Sequence, residues 1–135
     1  MLVYKIAPAE DWSEAMRVGA FAGSAKDKED GFIHLSTAEQ LVETLRLHFR
    51  HVEDMLALVA VDVKALGGKW KWEPSRNGDL FPHLYSPLPA NAVRNAEFAL
   101  FDSLAEDDFS RAREFVHETG KHAQLAPADD KGDAG

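Results

Sequence analysis

The sequence predicts an α+β domain built on mainly antiparallel strands, and three observations carry that expectation. About six short stretches read as strands, either alternating apolar with polar residues or running apolar for a strand's length. Only two stretches before residue 102 have helical spacing, with a weaker one after it, too few to supply the crossovers of a parallel sheet. A chain of 135 residues is also the size of one core. The expected layout is a single domain over residues 1–101 with two or three helices in all. A C-terminal amphipathic helix follows over 102–123, then a disordered acidic tail over 124–135.

The first strand runs from Leu2 to Ile6, with Leu2, Tyr4 and Ile6 on one face and Val3 and Lys5 on the other. Pro8 suits the first turn of a helix to about Val18 that turns Trp12, Ala15 and Met16 inward and stops at Gly19. Lys26 to Asp30 reads as a solvated charged turn. Gly31-Phe32-Ile33-His34-Leu35-Ser36-Thr37 alternates as a strand, with Phe32, His34 and Ser36 on one face, and then opens a helix. Ser36 with Glu39 and Thr37 with Gln40 both have capping-box spacing. The helix spans roughly Ala38 to Arg50 and buries Leu41, Val42, Leu45 and Phe49. His48 and His51 fall at its end, where cations complement the helix dipole.

Met55 to Val63 is apolar without alternation, the mark of a central strand covered on both faces. Lys69 to Glu73 alternates, with Trp70 and Trp72 sharing a face, and Asn77-Gly78 signals the next turn. Leu80 to Tyr85 is extended, and Pro82 assigns it to a sheet edge or bend. Ala92 to Leu100 is the last strand. Beyond Asp102, Phe109, Ala112 and Val116, with Leu104, Ala105 and Phe115, form a weakly amphipathic helix to about Thr119 that Gly120 is expected to stop.

The net charge of −8 is concentrated at the end: residues 102–135 hold nine acids and four bases. No part has the basic footprint of a nucleic-acid binder, so a small-molecule partner is expected. Cysteine is absent, which excludes a disulfide framework and a thiol nucleophile and fits a reducing compartment. No apolar run reaches membrane-spanning length, and the start has no basic, signal-like region; a cytoplasmic protein with no membrane partner is expected.

Two stretches could carry chemistry. His34 ends a strand beside the Ser36 and Thr37 hydroxyls and the N–H groups of a helix start, where an anion or hydroxyl could be held. A half-buried structural histidine explains the same pattern. In Leu80 to Tyr85, Phe81, His83 and Tyr85 share a face that could sandwich a planar ring, or could pack on the core. Glu73 could act as a base or orient a hydroxyl, or could close a turn at the surface. Metal-ligand spacings, a nucleophile elbow and Gly-rich phosphate loops are all absent from the sequence.

Gly31 to Thr37, Trp72-Glu73-Pro74, Leu80 to Tyr85 and the opening Tyr4-Lys5-Ile6-Ala7 together resemble the bacterial family known as domain of unknown function 952, over roughly residues 2–100. That family is grouped with ADP-ribosyltransferase-like folds, near the RNA 2′-phosphotransferases. The resemblance implies a split, mainly antiparallel sheet whose cleft binds NAD or a related nucleotide, with His34-Leu35-Ser36 similar to the phosphotransferases' histidine-leucine-serine run. Lys5 stands where the family usually has histidine. Asp30 and Phe32 stand where the phosphotransferases carry basic residues, which argues against removal of an RNA 2′-phosphate.

The resulting expectation is a domain that binds NAD, without a metal, and transfers ADP-ribose to an unidentified acceptor. His34 orients the substrate, His83 or Glu73 serves as acid/base, and Phe81 and Tyr85 flank a ring. Lys5 sits at the cleft mouth, and Ser36 and Thr37 complete the ligand contacts. The alternatives are a non-catalytic ligand-binding module using the same pocket and a structural partner-binding domain.

Overall fold

A computed structural model describes residues 1–49, 54–101 and 109–124. The fold is α+β, and every strand pair among the described residues is antiparallel. The elements in chain order are β1 (Leu2–Pro8), α1 (Ala9–Val18), β2 (Ala20–Phe21), α2 (Ala25–Asp30), β3 (Ile33–His34) and α3 (Leu41–His48). They continue with β4 (Leu56–Asp62), β5 (Trp70–Pro74), β6 (Leu80–Leu84), β7 (Leu88–Pro89), β8 (Val93–Ala99) and α4 (Ser110–Gln124). The strands form sheets of order β1-β4-β8, β3-β6-β5 and β2-β7. A bridge joins the two larger sheets: Tyr4 N–H donates to Ser36 O at 2.7 Å and Ser36 N–H to Tyr4 O at 2.9 Å.

β4 is covered on both faces, as its unbroken apolar run requires. Ala57, Val59 and Val61 enter one core with Val3, Trp12, Phe21, Ile33, Leu35, Leu84 and Leu88. Leu56, Leu58 and Ala60 enter a second with Tyr4, Ile6, Leu41, Leu45, Phe109 just before α4, and the α4 residues Ala112 and Phe115. Tyr4 locks α4 onto the sheet through a 2.7 Å hydrogen bond between its hydroxyl and Thr119 Oγ1.

Four α-helices are present among the described residues, where two or three were expected. The additional one is α2, over the charged stretch read as a solvated turn. Its Asp27 is buried while its neighbours face water, a pattern that composition does not disclose. α3 is shorter than its apolar stripe suggested. The stretch before it is a turn in which Thr37 N–H donates to Gln40 Oε1 and Gln40 N–H to Thr37 Oγ1.

β6 is the centre of its sheet, despite Pro82. Leu35 N–H donates to Pro82 O at 3.1 Å, and the return bond that proline cannot make falls where β3 has ended, so the ladder loses little. α4 runs through Gly120 to Gln124 rather than stopping there. A methyl group at Gly120 would meet nothing within 4 Å. Gly120→Ala should therefore raise stability by about 0.5–1 kcal/mol, read as a higher urea midpoint at unchanged slope. His51, residues 102–108 of the C-terminal helix and the acidic tail from 125 lie outside the described residues.

Candidate functional site

The β3-β6-β5 sheet gathers the site on one face. Direct antiparallel partners point to the same side. The registers His34↔His83, Lys71↔His83 and Glu73↔Phe81 therefore place His34, His83, Lys71, Glu73 and Phe81 together. Phe32 and Tyr85 extend the same face by one alternation each. Ile33, Leu84 and Trp70 point the other way, into the first core.

On this face the Phe32 ring stacks on His83, with centroids 4.0 Å apart, and lies 4.6 Å from His34 and 5.4 Å from Tyr85. The two imidazoles meet edge to face at 5.7 Å. His83 Nδ1 is 2.9 Å from Glu73 Oε1, which also accepts the Tyr85 hydroxyl at 2.6 Å. These bonds hold the Glu73 carboxyl below its usual range, Tyr85 contributing most, and Glu73 in turn pushes the Tyr85 phenol up. A carboxylate against Nδ1 places the His83 proton there and leaves the Nε2 lone pair available. That atom has no partner among the described residues, and His83 as a whole is 4% exposed. Lys71 Nζ lies 5.2 Å above the Tyr85 ring.

His34, 32% exposed, is held differently. Its Nδ1 is 2.6 Å from Asp27 Oδ1 and its Nε2 is 2.9 Å from Asp30 Oδ2. A neutral imidazole can donate to one carboxylate only, so both contacts are donated hydrogen bonds when the ring is protonated. Asp27 is the hub beneath it. Asp27 is 2% exposed and accepts from His34 N–H at 3.1 Å, Ser24 N–H at 2.9 Å and Lys5 Nζ at 3.0 Å. Burial alone would raise its carboxyl, but His34, the Lys5 charge and these N–H groups outweigh it and hold it well below the carboxylate range. Gly23, at φ +117, gives Asp27 its room: a Cβ there would lie 3.0 Å from Asp27 Cβ.

Several expected ligand residues are engaged elsewhere. Lys5 is buried, not at a cleft mouth: Nζ sits 2.8 Å from Asp27 Oδ2 and donates to His34 O at 3.1 Å. Burial pulls its ammonium down and Asp27 partly restores it. It faces inward because alternation along β1 commits residue 5 to the side of Val3 and Ala7. Ser36 is buried and donates to Thr44 Oγ1 at 3.1 Å, while Thr37 is used in its turn with Gln40. The Phe81 ring lies beneath the Arg76 guanidinium, at 4.8 Å, and the aromatic place beside His83 is taken by Phe32. Phe32, Asp27 and Asp30 are the residues that sequence reasoning missed. For Phe32 the signal was present, since it shares an alternation with His34.

Beside this cluster lies an open cleft of about 220 Å³ lined by Phe32, Tyr85, Pro87, Ala22 and Lys28 among others; the expectation that His34 and His83 line one pocket is not met, since neither is among its lining residues. The cleft lies below the 300–1,000 Å³ or so of pockets for drug-sized ligands, and suits one ring-sized moiety with the remainder outside. Among the described residues no helix is long and apolar enough to cross a membrane.

Residues 6–96 match the family model described as "Protein of unknown function (DUF952)". The crystal structure of protein CC0527 from Caulobacter crescentus is similar at 45% identity and a TM-score of 0.70, covering 76% of this chain and 89% of that one. The solution NMR structure of the same protein is similar at 46% identity and a TM-score of 0.65, covering 75% and 86%. No curated protein matches the chain significantly.

Proposed function

This chain belongs to the DUF952 family, and from its site we propose that it is an ADP-ribosyltransferase-like domain that binds NAD or a related nucleotide and transfers ADP-ribose to an acceptor. The observation that carries this reading is the Glu73–His83 dyad, whose Nε2 is free beside an aromatic wall. A carboxylate that fixes one ring nitrogen and leaves the other open is the arrangement of a general base. Nicotinamide fits the ring-sized cleft against Phe32 and Tyr85. The acceptor's oxygen or nitrogen attacks the ribose C1′ and gives its proton to His83 Nε2. The C1′–N bond breaks, and its electron pair returns to the nicotinamide ring, which leaves neutral. His34, clamped by two aspartates, orients rather than transfers. The two three-stranded sheets, bridged at Tyr4 and Ser36, support the fold assignment.

One observation favours the non-catalytic module instead: Lys5 is turned inward, so it offers no cation to a pyrophosphate. Melting the protein with NAD, ADP-ribose or nicotinamide, and assaying nicotinamide release from NAD, separates the two. A ligand at 100 times its Kd stabilises the native state by about 2.7 kcal/mol. The expected result is a raised Tm with NAD and nicotinamide, lost in Phe32→Ala, together with nicotinamide release. A raised Tm without release identifies the module. No shift with any of the three overturns both.

A further inference from the structure

Away from the dyad, Arg76 occupies an unusual position for an arginine. Its guanidinium lies 4.8 Å over Phe81 and donates to Thr44 Oγ1 at 3.3 and 3.4 Å, both neutral partners. No carboxylate pairs with it among the described residues, in a chain where acids outnumber bases. Thr44 Oγ1 also accepts from the buried Ser36 hydroxyl at 3.1 Å, so its lone pairs are occupied and its remaining capacity is to donate its own proton. Helical threonines commonly give that proton to a carbonyl in the preceding turn, as Thr119 does to Phe115 O at 2.9 Å. Thr44 makes no such bond among the described residues. His48, one turn further along α3 on the same face, is exposed. Partial burial and then the nearby Arg76 charge, with His34 and Lys26 behind it, disfavour its protonated form. Asp30 is engaged with His34 and Lys26, and Glu29 with Lys26.

We propose that Arg76, Thr44 and His48 form an oxyanion site that takes a phosphate group, separate from the Glu73–His83 dyad. A phosphate oxygen can accept the Thr44 hydroxyl proton. A guanidinium held flat over Phe81 presents its remaining N–H groups as a fork, the geometry that suits phosphate best. His48 becomes a third donor when an anion offsets the positive field around it. The site does not depend on the transferase reading, because none of its three residues belongs to the dyad. It would seat a phosphate of any phosphorylated ligand, nucleotide or otherwise.

Amide and guanidinium NMR shifts of the full chain, titrated with inorganic phosphate at constant ionic strength, test it. The expected result is saturable shifts centred on Thr44, His48 and Arg76. Arg76→Gln should weaken binding about tenfold or more, the size expected for a lost charge-assisted contact. His48→Gln should weaken it severalfold. Arg94→Gln, a change at an exposed arginine near Asp62, should leave it unchanged. Linear, unsaturated shifts would overturn the proposal, as would equal losses in Arg76→Gln and Arg94→Gln. Acetate binding as tightly as phosphate would overturn the choice of phosphate. Should Arg76→Gln fail to fold, unchanged affinity in His48→Gln at its exposed position overturns the site by itself.

Discussion

Asp27→Ala should destabilise the protein by about 3–5 kcal/mol, because it strands a buried ammonium without its counter-charge. Lys5 is 4% exposed, and Asp27 supplies its only carboxylate among the described residues. The same substitution also removes acceptors from the His34 ring, the His34 N–H and the Ser24 N–H. Lys5→Met should cost less, since Asp27 keeps three of its donors and the methionine chain fills the same space. Urea denaturation of both variants and of the pair checks the order, and a Lys5→Met loss equal to that of Asp27→Ala would refute it. The pH dependence has a definite sign. The Asp27 carboxyl is depressed in the folded state, so its contribution is fully present above the unfolded carboxylate value near pH 3.9. It is lost as pH falls below that value towards the folded one. Wild type should lose stability steeply below about pH 4, and Asp27→Ala should show a shallower acid limb.

The second large effect concerns turnover. With nicotinamide release as the readout, His83→Ala should lower kcat by about 10²–10⁴-fold, the usual worth of a positioned general base. Glu73→Gln should fall in the same direction by a smaller factor. An amide can still face Nδ1, but it no longer favours the proton there or stabilises the imidazolium. Glu73 is partly exposed, so this change should leave stability nearly untouched. His34→Ala should act mainly on KM if the ring orients substrate. A His83→Ala protein that releases nicotinamide at the wild-type rate would remove the dyad from the mechanism.

Much of the framework was legible in the residues themselves, because it rests on local periodicity. The apolar run of β4 announced a strand covered on both sides, and Leu41/Leu45 and Ala112/Phe115 marked the inner faces of α3 and α4. Gly19, with φ +103, ends α1 where the pattern placed its stop. Alternation alone put Phe32 with His34 and His83 with Tyr85, since side-chain direction in a strand is set by parity. Parity cannot say which strands pair or in what register. The meeting of His34 with His83 across β3 and β6, and the reach of Glu73 to His83 rather than to solvent, were decided by pairing between segments some fifty and ten residues apart. Tertiary structure also reversed the meaning of charge. Lys5 and Asp27 look like surface residues in sequence, yet each makes the other's burial possible across 22 positions, and neither could be buried alone. Gly120 and Pro82 likewise lost their usual meaning as breakers. One lies in a helix already held by Phe115 and Thr119 against the sheet, and the other lacks its N–H where no partner strand continues.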